Sequence, residues 1–210
     1  MHKFFMLLCL FTTTLFAQQN SLTPDQALQR LTQGNLRFMH DQSTCSDRNK
    51  ERRAALTSIQ EPFAIIVGCS DSRLTPEIVF DQGVGDLFVV RVAGNVIGSI
   101  ELESIEFAAA NLHSSIVIVM GHENCGAVNA VLQGNSQDIE DIARLIQPAV
   151  QEVKNKPGNA LENAIKANAA RFVAQLKKNS NISNLIKQNK IKVVGGYYHL
   201  ESGQVELLPE

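Results

Sequence analysis

The stretch "FAIIVGCSDSR", Phe63 to Arg73, decides the fold. Its first half, Phe63 to Val67, is a short unbroken apolar run, the pattern of a strand buried on both faces. Such strands belong to parallel sheets with helices on either side. The second half puts a thiol, a carboxylate and a guanidinium on alternate residues, at Cys69, Asp71 and Arg73. Residues i, i+2 and i+4 of an extended chain share a face. Cys is among the most buried residue types, so a core thiol followed by an ordinary polar turn accounts for this stretch as well as a functional line-up does.

Outward from this strand, helix and strand signals alternate. Upstream, "TPDQALQRLTQGNLRFMHD" opens with Thr23 as N-cap, Pro24 at the first helical position and Gln26 three residues after the cap, with Gly34 as a point where the helix could break. "SDRNKERRAALTSI" reads as a second short helix. Downstream come a short helix in "TPEIVFDQ", a strand in "DLFVVRVA", a helix in "SIELESIEFAAANL", a third strand in "SIVIVMG" and a helix in "CGAVNAVLQG" closed by Gly134. Further helices are expected over 138–155, 159–179 and 182–189. The chain closes with a strand in "IKVVGGYYHL", a turn at "ESG" and a strand in "QVELLP". The expected fold is therefore α/β: a mostly parallel β-sheet flanked by helices, with N-terminal helices and a C-terminal edge hairpin. In open parallel sheets, sites form beyond the carboxyl ends of strands. Cys69 lies at the end of the first strand and Gly121-His122 at the end of the third, so both polar clusters fall on one rim.

Residues 1–17 read differently. "MHKFFMLLCLFTTTLFA" has a basic start, an apolar run and Ala17 before polar Gln18 and Gln19, the layout of a secretory signal peptide. Leu15 at the −3 position is larger than the usual small residue. The expectation is an exported protein, periplasmic or secreted, whose residues 18–210 form a single domain with no stable membrane span after cleavage. The 210 residues carry a net charge of −2 and no Trp. Nothing in that balance suggests a polyanion partner, and no nucleic-acid role is expected. Without Cys9, three cysteines remain, Cys45, Cys69 and Cys125, an odd number for a disulfide framework. A Cys69–Cys125 bridge and a metal held by two thiolates are competing explanations, and Cys45 in "DQSTCSDRNK" reads as a bystander or exposed thiol.

The second polar cluster is "GHENCGAV", Gly121 to Val128, an H-x-x-C pair at a strand-to-helix turn. With Cys69 at the same rim, Cys69, His122 and Cys125 make a good zinc set that leaves a fourth position open, a catalytic arrangement. If Asp71 took that position the site would close as Cys2HisAsp.

Taken together, C-x-D-x-R at Cys69-Ser70-Asp71-Ser72-Arg73 and H-x-x-C at His122-Glu123-Asn124-Cys125 resemble the β-class carbonic anhydrases, in their exported bacterial form. "GVGDLFVVRVAGN" and "SIEFA" between them are similar to the family as well. The resemblance runs from about Ala54 to Gln133 and continues more weakly toward both ends. It implies one zinc per subunit on Cys69, His122 and Cys125, and reversible hydration of carbon dioxide to bicarbonate and a proton. In that reading Asp71 accepts a hydrogen bond from the zinc water, or closes the fourth position, and Arg73 holds Asp71 in its ionised form. It also implies substrate contacts at Gln60, Phe88, Ala93, Phe107 and the backbone of Gly126. A site built across a homodimer, or a dimer of dimers, is implied too. Phe107 stands where many members have Tyr. Ile66 stands where one subgroup has the Trp of an inhibitory bicarbonate pocket, so that pocket is not expected, although Arg91 matches its Arg. Two alternatives remain: hydrolysis of carbon disulfide or carbonyl sulfide on the same scaffold, and a non-catalytic exported zinc or redox protein, which would have no use for Asp71, Arg73 or Gln60.

Overall fold

The computed structural model describes residues 22–209; the stretch read as a signal peptide, 1–17, lies outside them. Five strands form one sheet in the order β2-β1-β3-β4-β5. β1 (Ala64–Gly68) pairs in parallel with β2 (Leu87–Arg91) on one side and β3 (Ile116–His122) on the other, and β3 pairs in parallel with β4 (Lys192–Tyr198). β5 (Val205–Leu207) returns antiparallel beside β4 and makes the expected edge hairpin. Every residue of β1 and β3 is buried, as their unbroken apolar runs require.

The helices are α1 (Pro24–Met39), α2 (Lys50–Ala55), α3 (Pro76–Val79), α4 (Ser99–Asn111), α5 (Gly126–Leu132), α6 (Glu140–Glu152), α7 (Ala160–Lys178) and α8 (Ser180–Lys187). α1 carries the capping box read from Thr23 and Gln26: Thr23 Oγ1 accepts from the Gln26 amide and Gln26 Oε1 from the Thr23 amide. It does not break at Gly34. That glycine is a point of contact, since a Cβ there would lie 1.8 Å from the carbonyl oxygen of Phe80. α6 starts later than expected, after a 3₁₀ turn at Gln137–Ile139.

One departure bears on function. β2 is not covered as β1 and β3 are: Leu87, Phe88, Val89 and Val90 are only half-buried, and Arg91 is exposed. Nearby apolar side chains stand open as well, with Ile59, Ile100 and Phe107 each at least half exposed. Among the described residues, the β2 edge thus leaves an apolar face half open.

Candidate metal centre

Parallel pairing in register puts the ends of β1 and β3 side by side, Gly68 against Met120. Cys69 leaves the end of β1, and His122 is the last residue of β3. The turn Glu123-Asn124 then places Cys125 as the N-cap of α5. Cys69 Sγ, one ring nitrogen of His122 and Cys125 Sγ all lie within 4.8 Å of one another, and all three residues are buried. Tetrahedral zinc, with bonds of about 2.0–2.3 Å, needs ligand atoms roughly 3.5–3.8 Å apart, so this cluster needs little adjustment.

The local chemistry fits a metal. His122 Nδ1 is 2.9 Å from the carbonyl oxygen of Glu123, so Nδ1 carries the proton and donates it there. Nε2 is left as a bare acceptor, fully buried and without a hydrogen-bond partner. An orphaned buried nitrogen facing two thiols is costly unless something binds it. Cys69 is driven well below the ordinary thiol range, first by the hydrogen bond from Cys125, with help from the amides of Gly94 and Asp71, against the opposing effect of burial. Cys125 is pushed up by that bond and by burial. Both are free thiols, so the alternative of a Cys69–Cys125 bridge is not realised in this structure.

Asp71 stands apart from the trio. Its Oδ1 accepts from Arg73 Nε at 2.9 Å and from the Arg73 amide at 3.0 Å, while Oδ2 accepts from Arg73 Nη2 at 2.8 Å. That bidentate clamp holds its carboxyl well below the usual carboxylate range. Oδ2 remains 3.9 Å from His122 Nε2, beside the three ligands and outside their group. In this structure the carboxylate is engaged by Arg73 and not by the Cys69–His122–Cys125 group.

The implied substrate contacts fall into two sets. Ala93 opens the 3₁₀ turn Ala93–Asn95, which packs on the ends of β1 and β3 and against α5. Gly126 opens α5, where an added Cβ would meet nothing within 4 Å. Both belong to the metal rim. Gln60 precedes β1, toward the opposite end of that strand from Cys69. Phe88 pairs with Ile65 near the start of the strands. Phe107 is half exposed in the latter part of α4. Neither Gln60 nor Phe107 lies on the strand ends that carry the trio.

Three features were not read from the sequence as parts of the site. The Gly94 amide donates to Cys69 Sγ at 3.2 Å. Asn168 of α7 donates to the Gly94 carbonyl at 2.8 Å. Arg91 donates to the carbonyls of Cys69, at 3.0 Å, and Asp71, at 2.7 Å, so in this chain it braces the segment between ligand and acceptor. Asn168 had a signal, being the one polar residue on the otherwise apolar buried stripe of α7.

The fold and this Cys2His group together define a zinc enzyme of the β-carbonic anhydrase type. Residues 64–205 match the sequence model of the carbonic anhydrase family, and the chain belongs to that family. It is 37% identical over 191 residues to a carbonic anhydrase of Mycolicibacterium smegmatis, covering 88% of this chain and 93% of the relative. It is 36% identical over 191 residues to carbonic anhydrase 2 of Mycobacterium tuberculosis, covering 88% and 92%. The fold is shared with the solved β-carbonic anhydrase CcaA, at TM-score 0.69 and 24% identity over 87% of this chain and 95% of that one. It is shared also with tetrameric β-carbonic anhydrases of Sordaria macrospora, at TM-score 0.66 and 21% identity over 77% and 88%.

Proposed function

We propose that this protein hydrates carbon dioxide reversibly to bicarbonate, with Cys69, His122 and Cys125 holding one zinc ion, Asp71 accepting a hydrogen bond from the attacking water and Arg73 holding Asp71 ionised. The observation that carries it is the bare, buried Nε2 of His122 beside two thiols, with an ionised carboxylate 3.9 Å away. When bound, zinc supplies the Lewis acidity that brings deprotonation of water into the neutral range. The chain supplies the rest. Asp71 Oδ2 accepts a hydrogen bond from the attacking water and turns its free lone pair toward the carbon of the substrate. Arg73, by occupying Asp71 on both oxygens, keeps that carboxylate ionised and fixed in direction. Ala93 and the open space at Gly126 form the metal-side wall of the substrate pocket. A storage or redox protein would need the thiols but not the Asp71–Arg73 clamp.

Gln60 and Phe107 act at the site of a second copy, which packs its β2 edge and the exposed Ile59, Ile100 and Phe107 against this one. The enzyme is thus a homodimer or a dimer of dimers. It is exported, with residues 1–17 removed as a signal peptide. The test is a carbon dioxide hydration assay on protein whose zinc content, mass and N-terminus are measured on the same sample. A fully zinc-loaded protein without hydration activity would refute the function. Ile100→Glu should yield monomers of low activity; an active monomer would refute the shared site. An unprocessed Met1 on protein recovered from the cell exterior would refute the cleavage.

A further inference from the structure

We propose that Asn168, in α7 and far in sequence from both metal motifs, is a positioning residue for the Cys69 ligand, acting through Gly94. This rests on Cys69 being a metal ligand as proposed above. The chain of contacts is short: Asn168 Nδ2 donates to the Gly94 carbonyl at 2.8 Å, and the Gly94 amide donates to Cys69 Sγ at 3.2 Å. Gly94 has φ +71° and no side chain to anchor it, so the direction of its N–H depends on what holds its backbone. A Cβ there would come 2.7 Å from Ile146 Cδ1, so a stiffer residue cannot replace the hold that Asn168 provides.

Asn168 is an expensive residue for packing alone. Its companions on the buried face of α7 are Ala164, Ile165, Ala169, Phe172 and Leu176, and it is itself 1% exposed. Its Oδ1 has no hydrogen-bond partner among the described residues, so its burial is a net cost. A leucine would fill similar space without that penalty. The amide keeps one useful bond, and that bond goes to Gly94.

The consequence for the metal follows from charge. Two thiolates donate heavily to an ion and weaken its pull on water. An N–H bonded to one sulfur withdraws electron density from it, as hydrogen bonds to metal-bound sulfur do generally. With Asn168 absent the Gly94 amide swings from the sulfur, Cys69 becomes a stronger donor, and the ligand set loses its fixed geometry.

The test uses the full-length protein with cobalt(II) in place of zinc, whose thiolate-to-metal absorption band reports the electron density on sulfur. Asn168→Leu should move that band to longer wavelength and speed release of zinc to a chelator about 10–100-fold, the usual size of an outer-shell effect. Phe172→Leu, which perturbs the same buried face one turn further along the helix, should lower thermal stability and leave band and release rate unchanged. Asn168→Ala serves if the leucine variant does not fold, and complete loss of metal from either Asn168 variant while Phe172→Leu stays loaded also supports the relay. An unchanged band and release rate in a loaded Asn168 variant would overturn it. Absence of any thiolate band in the wild-type cobalt protein would instead show that Cys69 is not a ligand, which is the failure of the function and not of the relay.

Discussion

Two loops of this chain bury ionisable side chains beside arginine, and they treat them in opposite ways. In the loop at 81–86, every carboxylate oxygen is used. Asp81, with a fully buried side chain, accepts from Arg37 Nε at 2.6 Å, from the amide and hydroxyl of Thr44 at 3.0 Å each, and from the Cys45 amide at 3.1 Å. Asp86 accepts from Arg30, Arg52 and the Gly83 amide. The partners come from α1, α2 and the segment between them, so this loop ties the N-terminal helices to the strand that follows it. At the metal rim, by contrast, His122 Nε2 is left bare, and Asp71 keeps an oxygen facing it. A fold closes its polar accounts where only stability is at stake and leaves them open where something else must bind.

The contrast breaks most sharply at the ligands. Replacing Cys69, His122 or Cys125 by Ala should remove zinc and hydration activity together, since two ligands cannot hold the ion in an open tetrahedral site. Metal analysis on each variant checks this, and full zinc occupancy in all three would mean that the bare nitrogen has another purpose. Next in size is Asp71→Asn. It should retain zinc and lose about 10²–10⁴-fold in turnover, the range of a general acid–base group, because an amide cannot serve as the ionised acceptor. Near-normal turnover in the loaded variant would leave the Arg73 clamp as a mere surface pair.

At the 81–86 loop the expected effect is on stability alone. Asp81→Asn should destabilise by about 1–3 kcal/mol, with turnover per folded molecule unchanged. The pH dependence has a definite sign. Burial would raise the carboxyl of Asp81, but the bonds from Thr44, Arg37 and Cys45 outweigh it and hold the folded value down to about 2. A depressed carboxyl contributes stability in full above its unfolded value of about 3.9 and loses it as pH falls through the folded one. Urea unfolding between pH 5 and pH 2 should therefore show a decline that is shallower in Asp81→Asn. Parallel curves would show that the loop's charge is not what secures it.

The two regions also differed in how far the sequence exposed them. The three strand runs, the capping box at Thr23 and the C-terminal hairpin are local patterns, and each appears as an element where the pattern put it. The trio was legible because both motifs sit at strand ends, and parallel pairing brings such ends together. The hold on Cys69 was not, because it joins residues 25 and 74 positions apart through a backbone amide and a carbonyl, which no side-chain pattern records. Gly34 misled for a related reason: a glycine within a helix reads as a weak point, whereas here it admits the backbone of Phe80. The three arginines that pair with the 81–86 loop lie among the helical signals of the first 55 residues, where charge reads simply as solvated surface.

The smallest effect sharpens the comparison by separating distance from burial. Lys192 Nζ meets Asp25 Oδ1 at 2.7 Å, almost the separation of Arg37 and Asp81, yet the Asp25 side chain is 84% exposed where that of Asp81 is 0%. Water solvates the separated charges nearly as well as they solvate each other, and holding two long side chains together costs rotamer freedom. Lys192→Met keeps most of the stem that lies along the start of β4 and removes only the charge. It should change unfolding free energy by less than about 1 kcal/mol, and the difference should disappear as salt is raised toward about 1 M, where the screening length falls to about 3 Å. Arg37→Met strips the buried Asp81 of its countercharge and should cost several times more, with a loss that persists in salt. Equal losses for the two variants, or equal salt sensitivity, would mean that the 81–86 loop gains nothing from being buried, and the contrast between its satisfied acids and the open metal rim would lose its physical basis.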